Sequence, residues 1–188
     1  MKEPGDSELR RTQFVDAADK LFREKGIVDT TISSIVREVN VAKGLYYYYF
    51  KSKDDVIDAV IEKYCREFVQ QIQRSLNPAD DYDARLDGFI DNTIESFRIM
   101  WENLSGANRN IDLTILSSRS MEEAKAIASQ ALSELLKEGN ERSSLNIRNP
   151  EYYARMIISG IADLVSQSEA DGKEIRRMVR ELIGKERY

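Results

Sequence analysis

Histidine is absent from this chain of 188 residues, cysteine and tryptophan occur once each and proline three times. Each scarcity excludes something. Without histidine there is no His-based triad, proton relay or zinc site, and only carboxylate oxygens remain as metal ligands. A single cysteine, Cys65, forbids an intramolecular disulfide; set on an apolar helical stripe, it reads as a small buried hydrophobe. No run approaches the roughly 18 apolar residues of a membrane span, and the opening Met1-Lys2-Glu3-Pro4-Gly5-Asp6 has no signal-peptide core. The expectation is a soluble cytoplasmic protein with no membrane partner. Nothing resembles a nucleophile motif, so no catalytic residue, cofactor or metal is expected, and an enzyme is the least supported class.

What is present is charge, unevenly spread. The net charge is -5, yet through Lys53 ten Lys and Arg face eight acids, a net of +2. The rest carries 18 bases against 25 acids, a net of -7. A mildly basic head on an acidic body docks on phosphates only where its cations cluster.

Apolar residues recur at steps of three and four throughout, which predicts an all-helical fold. A first helix runs from about Ser7 to Lys25 on a stripe of Phe14, Val15, Ala17, Ala18, Leu21 and Phe22, with Gly26 as a left-handed stop. A short helix follows from about Ile32 to Val39, capped by Thr30 or Thr31, and Asn40 takes the positive-φ turn. A third runs from about Lys43 to Tyr49. Ser52-Lys53-Asp54-Asp55 then caps a long helix expected to end near Leu76, before Asn77-Pro78 and a loop over residues 79–82. Further helices are predicted through Leu86–Trp101, from about Asn108 to Ser118, and from a capping box at Ser120-Met121-Glu122-Glu123. The last two start at Asn149-Pro150 and at about Lys173, the final one ending near Gly184.

Two short helices, an Asn-containing turn and the run Tyr46-Tyr47-Tyr48-Tyr49-Phe50, all within Thr30–Lys53, have the dimensions of a helix-turn-helix. Lys43 and Gly44 open its second helix, where the missing side chain at Gly44 admits a close backbone approach. Of the four tyrosines, two are expected in the core and two at the surface, with any functional share resting on Tyr47 and Tyr48. Exposed tyrosines hydrogen-bond phosphate oxygens or touch thymine methyls.

At Ala17-Ala18, Leu21-Phe22, Gly26, Thr31, Ile35, Lys43-Gly44, Tyr47-Tyr48, Phe50 and Lys53 the chain resembles the TetR family of transcriptional regulators. The resemblance implies an all-α homodimer: a DNA-binding head over residues 1–52 with three helices, and a ligand-binding and dimerisation body over residues 53–188. It assigns operator-DNA contacts to Thr31, Lys43, Gly44, Leu45, Tyr46, Tyr47, Tyr48 and Lys53, with Thr31 and Lys53 on phosphates. The chain departs from the family pattern at Val36, at Asn40 in place of Gly, at Ala42 in place of a capping Ser, and at Leu45-Tyr46. Omitting that cap costs about 1 kcal/mol.

In the body, Phe68, Ile72, Phe89, Thr93, Phe97, Met100, Trp101 and Leu116 are candidate lining for an apolar or aromatic effector, or else plain core. Small residues among the apolar ones of the last two helices (Ser159, Gly160, Ala162) suit a two-fold interface. The function expected is a repressor released from a palindromic operator by a small-molecule effector. The alternative is a DNA-binding architectural or partner-binding protein on the same fold that senses no small molecule.

Overall fold

The structure is a computed structural model, and it describes residues 5–74, 76, 81–105, 114–142, 144–167 and 171–184. All regular structure among these residues is helical: α1 (Asp6–Asp29), α2 (Ile32–Val39), α3 (Lys43–Tyr49), α4 (Lys53–Gln73), α5 (Tyr82–Ser105), α6 (Thr114–Glu141), α7 (Pro150–Gln167) and α8 (Gly172–Leu182). The all-α class is as predicted.

Local chemistry accounts for most boundaries. α1 is broken at Gly26, whose φ of 85° and ψ of 164° lie where only glycine rests without strain. One more turn follows, and the Thr30 hydroxyl donates back to the Gly26 carbonyl at 2.7 Å. Thr31 caps α2 through a reciprocal box with Ser34. Asn40 closes α2 in the left-handed conformation, φ 56°. Ala42 leaves α3 with no side-chain cap. At the head of α4, Asp55 accepts from the Lys51 N–H at 2.7 Å while its own N–H donates to the Ser52 hydroxyl at 3.1 Å. Asn149 accepts from the Tyr152 N–H at 3.2 Å at the start of α7, and Asp171 caps α8.

Three expectations are corrected. The capping box at Ser120 starts nothing, because α6 runs through it as one helix from Thr114. Leu116, Ser120, Ala124, Ala128 and Leu132 form a continuous buried stripe in which Ser120 is the polar member. The long helix α4 ends at Gln73 rather than near Leu76. The loop expected over residues 79–82 is shortened at its end, because α5 already begins at Tyr82; its residues 79 and 80 and the helical start expected at Asn108 lie outside the described residues.

The chain divides into two compact units, residues up to Tyr64 with Glu102–Ser120, and Cys65–Trp101 with Met121 onward. The expected boundary at residue 52 therefore falls inside the first unit, which keeps the first half of α4. That unit is built around Phe14, Phe22, Ile35, Tyr46 and Phe50, all buried. Phe14 and Tyr46 meet edge-to-face at 5.6 Å and 89°, a favoured geometry for aromatic pairs.

The second unit is held by apolar residues of α4 to α8 and by ion pairs between helices, including Arg180 with Asp87 and Arg176 with Asp91. Tyr82 donates to the Leu135 carbonyl at 3.0 Å. Beside it, a Cβ on Gly139 would overlap the Tyr82 hydroxyl and the Leu145 side chain. No helix among the described residues is long and apolar enough to cross a membrane.

Candidate nucleic-acid interface

α3 is seven residues long, and four of them are consecutive tyrosines. Helical geometry sorts them, because successive side chains point about 100° apart. Tyr46 is fully buried, its ring against Phe14 and Phe50 and its hydroxyl donating to the Ser52 carbonyl at 2.8 Å. That burial raises its phenol pKa above the ordinary value. Tyr49 is half-buried, tilted against Phe14 at 5.9 Å. Tyr47 and Tyr48 are 49% and 76% exposed.

Tyr46 is thus withdrawn from the expected DNA contacts. A ring at the centre of the core, with its one polar atom engaged, has nothing left to offer a groove. Lys43 and Gly44 are exposed, and the space a Cβ on Gly44 would occupy is open. Leu45 is half-buried. Neither Lys43 nor Lys51 has an ion-pair partner among the described residues. Thr31 is exposed at the start of α2, its hydroxyl oxygen accepting the Ser34 N–H at 3.1 Å.

Lys53 lies partly buried, and its ammonium donates to the Ile27 carbonyl and, at 3.4 Å, to that of Val28. It therefore adds a donor at the C-terminus of α1, where among the described residues the Ile27 carbonyl otherwise accepts only the Thr30 N–H at 3.3 Å. The expected phosphate ligand is also a clamp between α1 and α4.

A polar cluster that pattern reading passed over supports the same unit. Asp19, only 3% exposed, accepts from Tyr64 at 2.7 Å and from Lys63 at 3.1 Å, with Arg23 at 3.3 Å. A buried carboxylate is tolerable only with such partners. Its signal was its position: Asp19 follows Val15 by four residues and precedes Phe22 by three, on the face α1 buries.

The candidate lining residues of the body are packed. Phe68, Ile72, Phe89, Thr93, Phe97 and Met100 are buried and Trp101 is half-buried. Phe68 and Phe97 lie 4.9 Å apart. Leu116, also buried, belongs to the first unit. Among them the Thr93 hydroxyl is the exception to satisfied packing, fully buried and without a hydrogen-bond partner among the described residues.

Three helices, an αL turn and an outward lysine-glycine-tyrosine face define a helix-turn-helix head. The family model described as "Bacterial regulatory proteins, tetR family" matches residues 14–60, and this segment is a DNA-binding domain of the TetR type. Among curated relatives, the HTH-type transcriptional regulator HbdR of Aromatoleum sp. (strain CIB) is 31% identical over 119 residues, 63% of this chain and 48% of that protein. The match thus spans about half the length of that relative. Solved structures of like fold include the FadR regulator of Bacillus subtilis in complex with stearoyl-CoA, with a TM-score of 0.64, 20% identity and coverage of 94% of this chain and 99% of that one. Another is the SmeT–triclosan complex, with a TM-score of 0.66, 21% identity and coverage of 93% and 90%.

Proposed function

We propose that this protein is a sequence-specific DNA-binding transcriptional regulator, a cytoplasmic repressor that acts as a homodimer on a palindromic operator and is released by a small apolar or aromatic effector. The observation that carries the reading is the outward face of α3. Lys43, Gly44, Tyr47 and Tyr48 are exposed on a short helix whose inward face is locked by Tyr46. Gly44 lets the backbone approach a phosphate, Lys43 and Thr31 contact the DNA backbone, and the tyrosines with Leu45 meet base edges and methyls. Lys53 keeps α1 and α4 in register and offers its remaining N–H to a phosphate.

Dimerisation through α7 and α8 is supported by what they expose: Tyr152, Met156, Met178 and Leu182 are apolar and open to solvent, and the space a Cβ on Gly160 would occupy is empty. Two recognition helices about 34 Å apart fit successive major grooves. An effector that favours another spacing weakens binding by population shift. Thr93, with its unsatisfied hydroxyl among Phe89 and Phe97, suits a largely apolar effector carrying one hydrogen-bonding group. The TetR-like structures solved with stearoyl-CoA and with triclosan support a small-molecule effector.

The close packing of Phe68 on Phe97 favours a second reading, a body that docks another protein and senses no small molecule.

The test is fluorescence anisotropy with DNA from just upstream of the protein's own gene, against random DNA at several salt concentrations. Sequence-preferring binding is expected, with Lys43→Ala lowering the salt slope by about one. Binding no tighter than to random DNA and indifferent to Lys43→Ala and Tyr48→Ala overturns the reading of the α3 face.

A further inference from the structure

A groove of about 660 Å³ lies between α6 and α7, away from the apolar residues considered above. Its α6 wall carries Lys125, Ser129, Ser133 and Lys137, and its α7 wall carries Arg155 and Ser159. This volume is within the range of small-molecule sites.

Among its polar groups without partners in the described residues, one buried and one charged group stand out. Ser133 is 4% exposed, and its hydroxyl makes no hydrogen bond, not even to the carbonyl one turn back that helical serines commonly use. A buried polar group left unpaired is costly, and such a group calls for an explanation. Arg155 is exposed and makes no hydrogen bond or ion pair among the described residues.

The other charges are spoken for. Lys125 pairs with Glu122 at 3.1 Å, and Lys137 with Glu134 at 3.0 Å and Glu151 at 3.6 Å. Three acids are thus matched by two lysines, and among the described residues the lining charge left without a partner is the Arg155 guanidinium. A cation would meet carboxylates already engaged, whereas an anion meets a free planar fork of donors and a row of hydroxyls.

From this we infer that the α6–α7 groove is a binding site for a small carboxylate-bearing polar molecule, its carboxylate on Arg155 and a polar group on the Ser133 hydroxyl. The site does not depend on the DNA-binding reading and is separate from the apolar residues around Thr93. It also lies beside the proposed dimer face without being that face. Glu151, Arg155 and Ser159 recur every four residues along one side of α7, and Tyr152 and Met156 lie about 100° further round.

The full-length protein is titrated with citrate by calorimetry, at ionic strength held constant with sodium chloride, alongside Arg155→Ala and Ser133→Ala. Thermal unfolding is followed with and without citrate. Citrate is expected to bind the unsubstituted protein and raise its Tm. Arg155→Ala is expected to weaken binding roughly tenfold or more. Ser133→Ala weakens it severalfold while leaving the Tm without citrate unchanged or higher, because an unsatisfied hydroxyl has been removed. No heat at millimolar citrate, or binding that neither substitution weakens, overturns the proposal. So does a change in sedimentation of Arg155→Ala without any citrate binding, which assigns the groove to a contact between copies.

Discussion

Tyr46 and Tyr48 are chemically identical and two residues apart, yet one is fully buried and the other open to solvent. Tyr46→Ala is expected to cost about 3–5 kcal/mol, since it empties the aromatic centre of the head. Tyr46→Phe keeps the ring and loses the bond to the Ser52 carbonyl, a loss of about 1 kcal/mol. Tyr48→Ala should leave stability within about 0.5 kcal/mol and weaken DNA binding. Urea unfolding and anisotropy on the same three variants check this separation, and equal effects of Tyr46→Ala and Tyr48→Ala on stability would sink it. Four tyrosines in a row hide this sorting, because hydrophobic periodicity needs contrast between positions and the run has none.

Caps and glycines decide where elements begin and end. Ala42→Ser supplies the hydroxyl that α3 lacks and is expected to stabilise the head by about 1 kcal/mol, read as a higher urea midpoint at unchanged m-value. At α4, the Asp55 carboxyl is held below the usual range, first by the Ser52 hydroxyl and then by the Lys51 N–H. A carboxyl depressed in the folded state binds its proton more weakly there than in the unfolded chain. Its contribution is therefore complete above the ordinary carboxylate pKa and fades as pH falls through the folded value. Asp55→Asn should flatten the acid limb of the Tm-against-pH curve below the ordinary carboxylate range, and an unchanged limb would refute the cap's share in it. The turn at Asn40 was legible because few residues other than glycine tolerate positive φ. The false start at Ser120 was not: a Ser-x-x-Glu pattern is local, whereas the stripe from Leu116 to Leu132 that overrides it is a property of the whole helix.

For the whole molecule, close packing competes with local preference. Gly139→Ala ought to gain up to about 1 kcal/mol in helix propensity. The overlap of the new methyl with Tyr82 and Leu145 costs about 1–3 kcal/mol, so net destabilisation is expected in thermal unfolding. Cys65 is buried and donates to Glu123 at 3.2 Å; burial, reinforced by that carboxylate, pushes its thiol pKa up to about 12. It should resist a thiol reagent at neutral pH until the protein unfolds, and rapid labelling of the native protein would contradict the burial. Met156→Glu places a charge on the proposed dimer face and is expected to shift sedimentation toward monomer without lowering helicity; an undisturbed dimer would move the interface off α7.

The all-helical class, the head's element order, the stop at Gly26 and the turn at Asn40 follow from residues acting within one or two turns of chain. They were readable for that reason. The partnering of Asp19 with Tyr64 and Lys63, the clamp of Lys53 on the end of α1 and the withdrawal of Tyr46 depend on contacts between segments distant in sequence or on which face of a short helix is covered. So does the groove between α6 and α7, where Ser133 and Arg155 are 22 positions apart in the chain. A local pattern says which residues prefer a helix, but burial and hydrogen bonding between helices settle which of their side chains remain free to bind anything.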